Sequence, residues 1–452
     1  MRPFLAMLAL LGILGAGCRG GGDEARTAAA TGPTAARLAD EVSVEGLRAH
    51  LAALEQIAED NDGTRASGTP GYDASVDYVV EQLEEAGYEP RLQRFWYVDS
   101  REVAPAEVAQ LSPDAETYAK GEDFVPLRYS GSGEVEATLQ PVDADSETSG
   151  CESSDFDGFP SGAIALLRRG GCFFAVKVGN AASAGATAVL VFNDGAPGHE
   201  TPMEATLVRP ADVPALSLAN DLGEELAAAQ QPVRFRVSTS FEAGEVEAAN
   251  VLAELPGVDP EGALLVGGHL DSVASGPGIN DNGSGVATIL EVAKQARQLG
   301  YRPQAPIRFA FWAGEEAGLV GSTEYVESLD EDARDQIAAV VNLDMLGSPN
   351  GEALVYDADA TIEEMLTDAL QEEGLDPIPI DLEGRSDHAP FAEAGIRVGG
   401  LFSGADELGP GGEPHDPCYH RPCDTLENVD LNALEATADA VAVAIFRLTT
   451  SG

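Results

Sequence analysis

The stretch Ala263-Leu-Leu-Val-Gly-Gly-His-Leu-Asp271 begins as an apolar run and ends in a histidine and an aspartate. Residues 263–267 contain only aliphatic side chains and glycine, which is typical of a short strand buried on both faces of a parallel sheet. Similar runs occupy residues 307–312, 338–342 and 398–402, and apolar side chains at helical spacing follow residue 286. This alternation predicts an α/β fold with a mostly parallel central sheet flanked by helices.

Polar residues follow these runs at the point where each predicted strand ends. They are His269 and Asp271 after the first, Glu315 and Glu316 after the second, Asp344 after the third, and Asp281 in the loop before the helix. In open α/β sheets the functional crevice lies beyond the carboxyl ends of the strands. A charge placed directly after a buried strand is costly unless a metal or an opposite charge compensates it. We therefore expect these side chains to form one site.

The residue types in this set favour a metal site. One histidine, several carboxylates and a second histidine further along the chain are the nitrogen and oxygen ligands that suit Zn²⁺. Two such ions about 3.5–4 Å apart need a shared ligand, and a carboxylate can give one oxygen to each ion. His415 and His420 are rival candidates for the second histidine.

Five motifs in the second half of the chain resemble the M28 family of di-zinc aminopeptidases, whose fold is of the zinc-exopeptidase type. They are Gly268-His-Leu-Asp-Ser272, Asn280-Asp-Asn-Gly-Ser-Gly285, Gly314-Glu-Glu-Ala-Gly-Leu-Val-Gly-Ser322, Asn342-Leu-Asp344 and Tyr419-His-Arg-Pro-Cys-Asp-Thr425. The resemblance implies an exopeptidase that removes N-terminal residues from peptides. It also implies two zinc ions per chain as cofactors.

The resemblance also assigns a role to each residue of the predicted site. It implies that His269 and Asp344 bind one zinc ion, that Glu316 and His420 bind the other, and that Asp281 bridges them. Glu315 would be the general base, and Asp271 would orient the ring of His269. Neighbouring residues of an extended segment point in different directions, so Glu315 can face the attacking water while Glu316 faces the metal.

Further residues near these motifs are candidates for contacting the substrate. By resemblance, the hydroxyl of Tyr419 would donate a hydrogen bond to the oxyanion, Arg385 would bind a substrate carbonyl or carboxylate, and Met345 and Phe391 would line the pocket for the terminal side chain. A structural role for His388 is an equal alternative to substrate contact. His50 and His199 are expected to be structural or exposed.

Residues 116–243 differ in character from the flanking sequence, with short apolar strands separated by glycines. The segment from Gly158 to Asn180 resembles the protease-associated (PA) domain, and Cys151 and Cys172 lie where such domains often carry a disulfide. We therefore expect a β-rich α/β PA domain at residues 116–243, inserted into a peptidase domain formed by residues 38–115 and 244–452.

The overall charge limits the partners that this chain can have. The sequence has 77 acidic against 26 basic residues, a formal net charge of −51. Electrostatic attraction to nucleic acid or to anionic lipid is therefore implausible. Peptides are the expected substrates, and composition says nothing about the oligomeric state.

The first 18 residues indicate export, either to the cell envelope or out of the cell. Arg2 and the apolar run from Phe4 to Leu14 are typical of a signal peptide. Gly15-Ala16-Gly17-Cys18 resembles a lipoprotein cleavage box, so that Cys18 would carry a lipid, and residues 19–37 would be a flexible tether. Cys418 and Cys423 form a second plausible disulfide pair, which leaves Cys18 unpaired.

Three other functions compete with aminopeptidase activity. A carboxypeptidase or dipeptidase of the same family would place a carboxylate against the site, and Arg385 leaves that open. A glutaminyl cyclase of similar fold uses one zinc ion and does not need five ligands. A binding protein without activity should have lost ligands, and this sequence keeps all five.

Overall fold

The computed structural model describes residues 34–146, 148–196, 199–203, 205–382 and 384–450. The predicted signal peptide, Cys18 and most of the predicted tether lie outside these residues. The helices are α1 (Ala35–Glu41), α2 (Val44–Glu59), α3 (Pro70–Glu85), α4 (Phe174–Ser183), α5 (Asn220–Ala227), α6 (Gly285–Gln298), α7 (Val320–Ser328), α8 (Glu331–Asp335), α9 (Ala360–Glu372), α10 (Ala389–Glu393) and α11 (Leu431–Thr450).

The strands alternate with these helices in the second half of the chain. They are β1 (Arg91–Ser112), β2 (Glu116–Thr117), β3 (Phe124–Pro126), β4 (Gly133–Pro141), β5 (Ile164–Arg168), β6 (Ala188–Phe192), β7 (Ala215–Leu218), β8 (Arg234–Leu255), β9 (Ala263–His269), β10 (Ile307–Trp312), β11 (Ile337–Leu343), β12 (Leu354–Tyr356), β13 (Ile378–Ile380) and β14 (Val398–Phe402). All four strands predicted in this half are present, each within two residues of its expected ends.

The central sheet has the predicted α/β architecture. Strand β9 lies between β10 and β11 and is parallel to both, and β14 continues the parallel set beside β11. Trp312 of β10 is in register with His269 of β9, and Asn342 of β11 with Gly267, so the carboxyl ends of the three strands align. The loops that follow these strands therefore emerge at one edge of the sheet.

Helices cover both faces of this sheet, which is why its strands are almost continuously apolar. Val266 of β9 belongs to the core formed with α2, α6 and α11, whereas its neighbour Leu265 packs on the opposite face with Tyr325 of α7 and Phe391 of α10. Helix α2 turns Leu47, Leu51 and Leu54, which recur at helical spacing, into this core. Ser43 accepts a hydrogen bond from the Gly46 amide and so caps the start of α2.

The long strands β1 and β8 connect the α/β part of the chain to the predicted insert, residues 116–243. They pair antiparallel over almost their whole length, and β8 pairs with β10 at one end and with β4 at the other. This pairing continues on β1 as far as Ser112. Strand β8 also crosses the predicted boundary at residues 243 and 244, so the exact limits of the insert stay a prediction.

The insert has hydrophobic cores of its own on the two faces of β5, β6 and β7. Ile164 and Leu166 pack into one core, and Ala165 and Leu167 into the other. Cys151 and Cys172 are joined with an S–S distance of 2.10 Å, and Cys418 and Cys423 with one of 2.13 Å. Both predicted pairs are therefore present in the structure.

The amino-terminal part departs from its prediction at one point. Helix α1 begins at Ala35, within the predicted tether 19–37, because Thr34 accepts a hydrogen bond from the Arg37 amide and Leu38 and Ala39 are buried. Among the described residues, no helix combines the length and apolar character needed to cross a bilayer.

Candidate active site

The predicted ligands come together at the carboxyl edge of the sheet. His269 is the last residue of β9, and Asp344 directly follows β11. Asp281 lies in a short irregular turn, Ile279–Ser284, which runs directly into α6. Glu316 lies in the turn after β10, and His420 lies within the loop closed by the Cys418–Cys423 disulfide. Five separate segments therefore supply the five side chains.

These five side chains form two groups that share Asp281. In the first, Nε2 of His269 lies 3.2 Å from Oδ1 of Asp281 and 3.3 Å from Oδ1 of Asp344. In the second, Nε2 of His420 lies 3.3 Å from Oδ2 of Asp281 and 3.3 Å from Oε2 of Glu316. Asp281 thus turns one oxygen toward each histidine, which is the arrangement that a bridging carboxylate requires.

The spacing of these atoms fits zinc. Ligands about 2.0–2.1 Å from a tetrahedral zinc ion are separated from one another by about 3.3 Å, and all four separations above are close to this value. Among the described residues, Oε1 of Glu316 is buried without a hydrogen-bond partner, and Oδ1 of Asp344 is buried with the 3.3 Å contact to His269 described above. The other oxygen of Asp344 accepts a hydrogen bond of 2.7 Å from Ser386, which aims Oδ1 at the site.

The electrostatics of the cluster also favour a cation. Burial disfavours the charged ring of His269, but Asp344 and Glu315 outweigh it, so the pKa of His269 lies well above its usual value. The pKa of His420 is raised in the same way by Glu316 and Asp281 against the effect of burial. The carboxylates therefore hold protons on both rings, and metal binding would displace such protons.

Glu315 lies beside the predicted ligands, and its backbone amide is hydrogen-bonded to Asp271. The Glu315 amide donates a hydrogen bond of 3.2 Å to Oδ1 of Asp271. An oxygen of Glu315 lies within 4.8 Å of ligand atoms of His269 and Glu316. Burial, followed by the charges of Glu316 and other carboxylates, raises the pKa of Glu315 well above its usual value despite the opposing effect of His269.

Asp271 contacts the ring of His269 differently from the prediction. Nδ1 of His269 lies 3.1 Å from the backbone carbonyl oxygen of Asp271 and 3.9 Å from its carboxylate. The nearer contact to the ring is thus made by the main chain. The carboxylate is within hydrogen-bond distance of the Glu315 amide instead, so Asp271 links the two loops.

The predicted substrate-contacting residues are only partly brought together. The ring of Tyr419 stacks on His420 at 3.8 Å and packs against the core cluster that contains Met345. Arg385 is half exposed and pairs with Glu407 at 3.1 Å. Phe391 is fully buried against Trp312 and Tyr325 in a different core cluster, so this geometry does not support its prediction as a pocket residue.

The remaining histidines lie outside the two ligand groups. His415 pairs with Glu352 at 3.1 Å, so the structure brings His420 and not its rival to the site. His388 is buried against Tyr356, and burial lowers its pKa to about 4. His50 is buried with its Nδ1 2.7 Å from the Tyr78 hydroxyl.

Two residues that support the site had no predicted role. Asp424 accepts hydrogen bonds from the amides of Asn280 and Asp281 at 2.8 and 3.0 Å, and so fixes the backbone of the shared ligand. Arg65, which is fully buried, donates to the carbonyl oxygens of Pro277 and Gly278 at 2.9 and 2.6 Å. Asp424 lay in a quoted motif and could have been found there, whereas no sequence signal marks Arg65.

The chain is similar to two known families and to known aminopeptidases. The model of Peptidase family M28 matches residues 250–445, and that of the PA domain matches residues 135–226. An aminopeptidase of Pseudomonas aeruginosa is 39% identical over 87% of this chain and 78% of its own length. A probable lipoprotein aminopeptidase of Mycobacterium tuberculosis, LpqL, is 38% identical over 98% of this chain and 93% of its own length.

Solved structures share the fold. An aminopeptidase from Aneurinibacillus sp. strain AM-1 superposes with a TM-score of 0.77 at 26% identity, covering 93% of this chain and 97% of its own. A zinc aminopeptidase from Bacillus subtilis gives a TM-score of 0.69 at 25% identity, covering 90% and 96%. Because these relatives match most of its length and the family models match its two parts, this chain belongs to peptidase family M28 and carries a PA domain.

Proposed function

We propose that this protein is a zinc-dependent aminopeptidase with two metal positions, which removes the N-terminal residue from peptides. The observation that carries the proposal is the placement of Asp281, whose two oxygens each lie 3.2–3.3 Å from a different histidine. His269 and Asp344 would hold one ion, and Glu316 and His420 the other. The relatives named above, which are called aminopeptidases, support the same activity.

The bound metal and the protein have separate parts in the reaction. Two zinc ions at these positions would polarise the scissile carbonyl and lower the pKa of the attacking water. Glu315 accepts the proton of that water as general base and passes it to the leaving amine.

Tyr419 is placed to stabilise the charge that develops on the carbonyl oxygen. Burial and the nearby carboxylates of Asp281 and Glu316 raise its pKa well above the usual value, so the hydroxyl keeps its proton and can donate a hydrogen bond. Stacking on His420 limits the movement of the ring. Tyr419 also packs against the buried apolar cluster of Met345, Leu382 and Phe402, and we propose that the terminal side chain binds beside this cluster.

The charge of the site favours a free amino end over a carboxyl end. Besides the three ligand carboxylates, the acidic side chains of Glu315, Asp271 and Asp387 are buried in the same region. Acidic groups beside the metal positions accept hydrogen bonds from an ammonium group and repel a carboxylate. Arg385 is paired with Glu407, so its charge is already compensated.

A set of matched tripeptides tests the proposal against its alternatives. We expect cleavage of the free peptide and of its C-terminal amide, with release of the first residue, and no cleavage of the N-acetyl peptide. Cleavage that requires a free C-terminus would instead identify a carboxypeptidase. Cyclisation of an N-terminal glutamine without hydrolysis would identify a glutaminyl cyclase, and no turnover by the zinc-loaded protein would favour a binding protein.

We also propose that the protein is exported and anchored by a lipid on Cys18. The cleavage-box sequence, the two disulfides and the similarity to LpqL, which is called a probable lipoprotein aminopeptidase, support this proposal. Mass analysis of the mature amino terminus tests it. A diacylglyceryl cysteine at position 18 is expected, whereas a mature chain that begins after Cys18 would contradict lipidation.

A further inference from the structure

The turn that carries Glu315 and Glu316 has a defined internal geometry. The amides of Gly318 and Leu319 both donate to the carbonyl oxygen of Glu315, at 2.7 and 2.9 Å. Gly314 and Gly318 have φ angles of 67° and 109°, in the region that favours glycine. The carbonyl oxygen of Glu316 accepts a hydrogen bond of 3.0 Å from the guanidinium group of Arg128.

Arg128 belongs to the inserted domain and is firmly held there. Its neighbours Leu127 and Tyr129 are 0% and 1% exposed and pack into one core of the insert. The Arg128 amide donates to the carbonyl of Ala205, and the Arg128 carbonyl accepts from the amide of Leu207. The position of this side chain is therefore set by the insert.

A second partner of Arg128 lies on β1. Its other terminal nitrogen is 2.7 Å from Oδ1 of Asp99, an oxygen that also accepts from the Ser100 amide. Burial works against the charge of Arg128, but Asp99 more than offsets it, so the pKa of Arg128 is raised. One guanidinium group thus connects the insert, the strand β1 and the turn after β10.

The same turn has another contact with the insert. A Cβ atom added at Gly318 would lie 3.2 Å from Cγ1 of Val208, so this glycine packs closely against the insert. Val208 follows Leu207, the residue that pairs with the backbone of Arg128. The two contacts therefore come from neighbouring segments of the insert and act on the same short turn.

We propose that Arg128 is a positioning residue for the peptidase reaction, and that through it the inserted domain holds the turn that presents Glu315 and Glu316. The kinetic part of this inference rests on the proposed function. The physical reason is that the Glu316 carbonyl belongs to the backbone from which the ligand side chain of Glu316 extends. If this peptide group rotates, the carboxylates of both residues move relative to His420 and the substrate.

The central test replaces Arg128 by Met, which keeps the apolar stem and removes both hydrogen bonds. Loss of a residue that orients metal ligands typically costs about 10–100-fold in metal affinity or activity. We expect a fall of this size in kcat at saturating zinc with a small change in KM. We also expect weaker zinc binding in competition with a chromophoric chelator.

Hydrogen exchange supplies a readout that does not depend on catalysis. The amides of Gly318 and Leu319 are protected by their bonds to the Glu315 carbonyl, so they should exchange faster in Arg128→Met, with or without zinc. This result is expected even if the substrate class proposed above is wrong. If only the proposed function is wrong, the faster exchange of these two amides should still be observed.

Arg168→Met is the matched control. Arg168 also belongs to the insert, has a buried Nε without a partner among the described residues, and donates to a backbone carbonyl, that of Asp194 at 2.9 Å. Its contacts stay within the insert, so kcat, zinc affinity and exchange of the turn should match those of the unmodified protein. Equal losses in both variants would mean that the insert acts only through general stability, and would overturn the inference.

Asp99→Asn tests whether Arg128 holds the turn after β10 if Arg128→Met does not fold. It keeps the shape of the side chain but weakens the anchor of Arg128, so a smaller fall in kcat and faster exchange of the turn are expected. Adding it to Arg128→Met should cause little further loss, because both changes disrupt one connection. Unchanged kcat and unchanged exchange in either folded variant would contradict the proposal.

Discussion

Replacing Glu315 by Gln separates proton transfer from metal binding in two neighbouring residues. The amide is nearly isosteric with the carboxylate, and the Glu315 backbone remains held by its hydrogen bond to Asp271. The five ligands are unchanged, so the variant should retain its zinc and its fold. Loss of a positioned base typically lowers kcat by roughly 10²–10⁴-fold, which corresponds to about 2.7–5.4 kcal/mol of activation free energy.

Glu316→Gln is the matched comparison, since it makes the same chemical change one residue further along. Its Oε2 lies 3.3 Å from Nε2 of His420, so this variant should lose affinity at one metal position together with activity. The assay measures kcat and KM on leucine p-nitroanilide, with zinc content determined on the same samples. Near-normal kcat in Glu315→Gln, or loss of zinc from it while Glu316→Gln retains both ions, would show that the two roles are assigned wrongly.

Three further predictions concern the shared ligand, the small disulfide and a carboxyl group far from the site. Asp281→Ala should lower zinc occupancy at both positions, as measured by metal analysis after dialysis, whereas loss at one position alone would argue against a bridge. Serine at both Cys418 and Cys423 should weaken zinc binding about 10–100-fold, because the loop that presents His420 is no longer closed; unchanged affinity in a chelator competition would contradict this. Burial and neighbouring carboxylates raise the pKa of Asp439 to about 7. The folded state therefore keeps a proton that the unfolded state releases near pH 4, so the free energy of unfolding falls as the pH rises from about 4 to about 7. Asp439→Asn should therefore add about 1–2 kcal/mol at pH 8 after allowance for solvent screening and almost nothing at pH 4; an equal Tm gain at both pH values would refute the assignment.

The positions of the proposed ligands could be predicted from the sequence because each residue follows a recognisable strand or lies in a motif. His269, Glu316 and Asp344 come at or just after the carboxyl ends of adjacent parallel strands, and register alone brings such positions together. The strands themselves were predictable because burial on both faces requires continuous apolar runs. The position of His420 was harder to predict, because this residue lies in a loop closed by a disulfide and not at the end of a strand.

The supporting contacts could not be predicted, since they join segments that are distant along the chain. Arg128 reaches the Glu316 carbonyl across 188 positions of sequence, and Arg65 reaches Gly278 across 213. Each contact depends on the packing of loops, which leaves no periodic pattern in the sequence. The length of β1 could not be predicted for a related reason, because its far half is stabilised by pairing with β8 rather than by its own composition.

Stepwise addition of zinc to the chelated protein, with hydrolysis of leucine p-nitroanilide followed at each step, measures how many metal ions the reaction needs. We expect activity to reach its maximum only when about two ions are bound per chain, and we expect no cleavage of the N-acetylated substrate at any step. Full activity with one ion or none, or comparable cleavage of the blocked substrate, would contradict a two-metal aminopeptidase bridged by Asp281.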